Sequence, residues 1–180
     1  MAIDENVAAV APLAEGITYP VLVDTEHRLP ELYAVNNVPT VVWIDEDDRI
    51  VRPNANEFGS DMFTEFTGIR CADHMEQVRA WVRDGIVPDD AGYEVPDLDD
   101  DEIDARLHFR LAVHARRAGN DDVAERHFDR AKALAPHDFT IVRAAMPLTG
   151  VDPFGPAFFE LYGVFEAAGS PYRGIRRPRT

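Results

Sequence analysis

Residues 36–51 read NNVPTVVWIDEDDRIV. Pro39 stands at the head of an apolar, β-branched run, Val41 to Ile44. An acidic stretch, Asp45 to Asp48, separates that run from a second one around Ile50 and Val51. Two β-branched runs across a short polar turn predict an antiparallel hairpin, with strands over 40–45 and 49–52. Proline gives no N–H to a ladder and fixes its own φ, so its place before a buried strand needs a reason. A tight turn built on a cis bond is such a reason, because cis peptide bonds are almost confined to X–Pro. The Val38–Pro39 bond is therefore expected to be cis.

Working outward, ENVAAVAPLAEG places Val7, Val10, Ala11 and Ala14 on one helical face, with Gly16 closing it. ITYPVLVDT reads as a strand that Pro20 demotes to an edge or a broken strand. HRLPELYAV reads as a short helix with Pro30 near its start. Downstream, residues 72–83 predict an amphipathic helix with Met75, Val78 and Trp81 or Val82 inward. DGIVPDDAGYEVPDLDDDE, with two prolines, two glycines and a run of acids, reads as a linker. The expected organisation is thus a partial domain over 1–85, an acidic linker over 86–101 and a helical region with a C-terminal tail over 102–180.

With YPVLVD before it, the LYAV helix between and WIDEDDRIV after it, the Val-Pro-Thr stretch resembles the second half of a thioredoxin-like domain. The likeness is to the ResA/TlpA-type thiol–disulfide oxidoreductases and related redoxins, over about residues 1–85. It implies an α/β fold in which Pro39 is the cis-proline facing the redox dithiol. Val38 would supply the backbone contact to an extended substrate chain, and Thr40 would begin the strand. The substrate implied is a protein or a small thiol or disulfide. The plainer alternative is a proline at the edge of a hairpin.

This chain departs from that family in its thiols. The family's Cys-x-x-Cys motif, or its variant, would precede MAID, so the fold is expected to lack its first strand and active-site helix. Two explanations stand: a start placed downstream of a cysteine or selenocysteine codon, or a degenerate domain kept for binding. With its central strand missing, residues 1–25 are expected either to stay out of the hairpin's sheet or to repair the gap. Repair would come from a sliding strand or from a second copy of the chain. Cys71 is the single cysteine, so an internal disulfide is excluded. It falls at the start of the predicted helix, where a dipole favours thiolate, yet no base or second cysteine stands near it in sequence. A packed residue beside a cap is the expectation, and no catalytic residue is assigned.

From Ala105, ARLHFRLAVHARRAGNDDVAERHFDRAKALAPHD resembles one tetratricopeptide repeat. Leu111, Ala112, Ala124, Phe128 and Ala131 lie where two antiparallel helices would meet, Gly119 turns the chain, and Pro136 ends the second helix. One repeat cannot bury its own face, so it is expected to pack on the first domain or to bind a partner protein. A non-catalytic adaptor built on this hairpin is the alternative function. PFGPAFFELYGVF (153–165) reads as an aromatic segment docking back onto a core.

The net charge of −15 argues against nucleic acid, whose phosphates it would repel. No run has membrane-spanning length and no leader pattern opens the chain, so a cytoplasmic location is expected. The six histidines form no compact metal set, and the acidic runs lack the glycine and ligand spacing of a calcium loop. No cofactor or metal is therefore expected. The basic end YRGIRRPRT reads as a frayed tail.

Overall fold

The computed structural model describes residues 2–4, 6–57, 59–62 and 64–175. It mixes many helices with few strands. In chain order these are β1 (Ala2–Ile3), α1 (Val7–Val10), β2 (Val23–Asp24), α2 (Leu29–Leu32), β3 (Val41–Ile44) and β4 (Ile50–Ala55). Six helices follow: α3 (Thr64–Thr67), α4 (Cys71–Asp84), α5 (Asp100–Arg117), α6 (Asp121–Leu134), α7 (Val142–Leu148) and α8 (Pro156–Ala167). Among the described residues no helix is long and apolar enough to cross a membrane.

Contacts divide the chain into two compact units, Met1–Asn36 with Leu98–Pro171 and Asn37–Asp97 with Tyr172–Thr180. This grouping departs from the expected boundaries at residues 85 and 101. A polar contact stands at each of these departures. The Arg106 guanidinium on α5 donates to the carbonyl of Val35. In the other unit Asp90, from the expected linker, binds Arg52 of β4.

In the first unit β1 pairs in parallel with β2, Ala2 opposite Val23 and Ile3 opposite Asp24. The crossover is α1, capped by the Asn6 side chain, which accepts from the Ala9 N–H. Pro12 cannot donate to a helical carbonyl, and the chain tightens to a 3-10 turn over Ala11–Ala14 instead of continuing the expected helix. Most of ITYPVLVDT is likewise not strand. Helices α5 and α6 form an antiparallel hairpin turned at Gly119, whose φ of +74° suits glycine. The acids before α5 are more than linker, since Asp99 and Glu102 make a reciprocal capping box.

Ala112, Ala124, Phe128 and Ala131 lie in the core as expected, joined by Ala105, Phe109, Val113 and Ile141. Leu111 does not, being 51% exposed. The buried stripe of α5 runs through 105, 109, 112 and 113, and Leu111 points off it. Of the aromatic segment, Leu161 and Phe165 are buried while Phe154 and Phe159 are exposed.

In the second unit β3 and β4 pair antiparallel, and the strands of the two units form two separate two-stranded sheets. This agrees with the expectation that residues 1–25 stay out of the hairpin's sheet. The Asp45 carboxylate tightens the turn by accepting from the Asp47 and Arg49 N–H groups. Strand β4 runs on to Ala55 through Pro53, because the register slips between Val41 opposite Ala55 and Trp43 opposite Arg52. That irregularity tolerates a residue with no N–H. Helix α4 covers the expected stretch, and of the residues expected inward Val78 and Trp81 are half-buried, Trp81 stacking on Trp43. Met75 and Val82 face solvent, and His74 is the buried residue.

Candidate functional site

The expected substrate loop opens β3. The Val38–Pro39 bond is cis, Val38 and Pro39 are exposed, and Thr40 is half-buried. The Thr40 hydroxyl donates to the carbonyl of Ala55, which ties the loop to the far strand at 3.1 Å. The same oxygen lies 3.1 Å from the Tyr172 hydroxyl. Either hydroxyl can be the donor in that contact.

Tyr172 arrives on a segment that the sequence reading left as a frayed tail. Residues 172–175 instead clip onto β4, while 176–180 lie outside the described residues. The Ile175 N–H donates to the Asn54 carbonyl at 2.8 Å, and the Asn54 amide donates to the Arg173 carbonyl at 2.8 Å. Ala55 and Ile175 form a parallel bridge. Gly174 is needed there, since its φ is +137° and a Cβ would collide with the Asn54 carbonyl. The Arg173 guanidinium donates to the Asp97 carbonyl at 2.9 Å and to that of Pro96. The clip thereby covers an edge of β4 that would otherwise present unpaired backbone groups.

Behind the hairpin is a buried charged cluster. Arg52 is 0% exposed and binds Asp90 through two parallel bonds, Nε–Oδ1 at 2.8 Å and Nη2–Oδ2 at 2.9 Å. Its Nη1 lies 3.3 Å from Glu57 Oε1, itself 3.4 Å from His74 Nδ1. The guanidinium sits over the Trp43 ring, which stacks on Trp81 at 5.0 Å. Burial pushes the Arg52 guanidinium down, but the bonds and charges of Asp90 and Glu57 outweigh it, and the net shift is upward. Asp90 also borders a cleft of about 600 Å³, lined in addition by Asp89, Tyr93, Tyr172 and Ile175. The Val38–Thr40 loop is linked to this cleft by the hydrogen bond between Thr40 and Tyr172.

Burial pushes the Tyr172 hydroxyl up to about 12 from 10.0. The Glu57 charge adds to the shift, and Thr40 and Arg52 oppose it. A folded-state value above the unfolded one stabilises the fold fully below about pH 10, and that stability is lost as pH rises towards 12. In an alkaline titration followed by tyrosinate absorbance, the Tyr172 hydroxyl is expected to ionise late. Tyr172→Phe should remove that late step. Its survival in the variant would show that Tyr172 is not the shielded hydroxyl.

Cys71 is half-buried at the first position of α4, where its N–H donates to Asp61 Oδ1 at 2.7 Å. Asp61 caps the helix end. Among the described residues no group of three or more His, Cys, Asp and Glu side chains is placed to hold a metal. The sequence reading named Val38, Pro39 and Thr40 but missed Arg52, Glu57, His74, Asp90 and Tyr172. No motif links these five. Set against family models, curated proteins and solved structures, the chain matches none of them.

Proposed function

We propose that the Val38–Pro39–Thr40 loop holds an extended polypeptide carrying a thiol or disulfide, in the manner of a thioredoxin-like oxidoreductase. This chain supplies the substrate-holding half of that chemistry. It has a single cysteine, so a dithiol is not part of what it contributes. The observation that carries the reading is an exposed Val38–Pro39 turn whose next residue, Thr40, is anchored to the opposite strand by its own hydroxyl. A fixed, exposed turn at the head of a strand offers main-chain groups to an extended chain at little ordering cost. What supports the reading further is the parallel β1–α1–β2 unit followed, after α2, by the antiparallel β3–β4 hairpin and, after α3, by α4.

The test is an amide NMR titration of the full chain with the S-carboxymethylated B chain of insulin, an extended peptide unable to exchange disulfides. Shifts are expected at Val38 and Thr40, and at Tyr172 through its hydroxyl bond. No response at these three residues at saturating peptide would overturn the reading.

A second reading is favoured by one observation. Ile103, Leu107 and Leu111 stand exposed one turn apart along α5. Such a ridge suits an adaptor that takes an amphipathic helix. Shifts confined to α5 in the same titration would support it.

A further inference from the structure

The exposed side of α5 carries one continuous seam. Asp100, Asp104, Leu107, Leu111 and His114 follow one another at alternating spacings of four and three residues, with Ile103 beside them, and all six are exposed. They lie opposite the buried stripe through Ala105, Phe109, Ala112 and Val113. A four-three repeat keeps a line of side chains on one helix face, the pattern by which two helices pack at a shallow angle. The middle of the seam is apolar, with Ile103, Leu107 and Leu111 38%, 43% and 51% exposed. Its two ends differ in charge. Asp100 and Asp104 stand towards the N-terminus, Arg110 and His114 towards the C-terminus.

We propose that α5 packs against α5 of a second copy of this chain, antiparallel about a two-fold axis at Leu107. Leu107 then meets its own counterpart, and Ile103 meets Leu111. Asp104 meets Arg110 and Asp100 meets His114, so each charged end finds its complement. A guanidinium presents five donors in a planar fork, so Arg110 can serve the second copy while its Nη1 holds Glu31. A parallel pair would instead set aspartate against aspartate. The antiparallel pair also brings each helix N-terminus beside the other's C-terminus, where the macrodipoles attract. The ridge on α5 thereby takes another α5, not the helix of an unrelated protein. The inference does not rest on the peptide reading, whose loop belongs to the other unit. One helix a side makes a small interface, below about 1,200 Å² in total. A weak dimer is expected, with a dissociation constant of roughly 10–100 μM.

The experiment is sedimentation equilibrium of the full chain. Each copy carries a net charge of −15, so two copies repel at a distance. Salt at about 0.15 M, where the Debye length is about 8 Å, screens that repulsion. Leu107→Arg and Leu107→Glu each set two like charges face to face at the axis, and each should weaken self-association at least about tenfold. An equimolar mixture of the two variants should associate again, because arginine then faces glutamate. Leu107 lies outside the core, so both variants should keep the parent's melting temperature. A parent that stays monomeric up to about 1 mM would overturn the proposal and leave the ridge to another protein's helix. Variants that associate like the parent would overturn it too, as would a mixture no more associated than its components. The parent is read alone, so the proposal stays testable even where a variant fails to fold.

Discussion

Arg52→Ala is expected to destabilise the unit that holds the β3–β4 hairpin by about 3–5 kcal/mol, the cost of removing the cation from a buried ion pair. Arg52 is wholly buried and Glu57 is 2% exposed, so the Glu57 carboxylate would lose its cation with no water to replace it. Asp90 is less affected, because its side chain is 38% exposed and can rehydrate. The substitution also frees the turn at Asp89–Gly92 that Arg52 holds against β4, and with it one wall of the cleft. A melting-temperature drop of roughly 2–4 °C per kcal/mol is expected, with faster hydrogen exchange in β4 and around Asp90. The double variant Arg52→Met, Glu57→Gln separates the causes. If the orphaned charge is the damage, removing both charges while keeping bulk should recover much of the loss. A loss below 1 kcal/mol for Arg52→Ala, or a double variant no better than the single one, would sink this account.

The same arginine shows where sequence reading stops. The hairpin was legible because β-branched runs, an Asx turn and a leading proline act within sixteen residues. The helix pair was legible for a similar reason, since small residues recur at helical spacing and Gly119 marks the turn. Arg52 was not legible. An arginine in a short strand reads as solvent-facing, and the register slip between Ile50 and Arg52 leaves Ile50 facing out while Arg52 and Asn54 are buried. Its partner Asp90 sits in a stretch whose composition says linker. Tyr172 lies 132 residues from Thr40, beyond the reach of any local pattern.

In the helical unit, Asp138→Ala is expected to cost about 3–5 kcal/mol, and more than Arg106→Met. The two residues form a buried ion pair at 2.7 Å, 5% and 3% exposed. Arg106 also donates to the carbonyls of Glu102 and Val35, and Asp138 accepts from the Thr140 N–H at 2.8 Å and from its hydroxyl. Removing the aspartate strands a guanidinium that cannot give up its proton. Removing the guanidinium leaves a carboxyl that can become neutral by taking one up. Burial already pushes the Asp138 carboxyl up, with Arg106 and Thr140 opposing, so in Arg106→Met the shift should grow. A folded-state value above the unfolded one means the native state binds more protons across that interval, and stability then falls as pH rises. Arg106→Met should therefore lose stability, relative to the parent, as pH rises from the ordinary aspartate range through the raised value. Asp138→Ala, having no carboxyl at 138, should show no such slope. Denaturant unfolding of both variants across that range checks it, and equal losses with parallel pH profiles would show that packing, rather than an orphaned charge, governs this site.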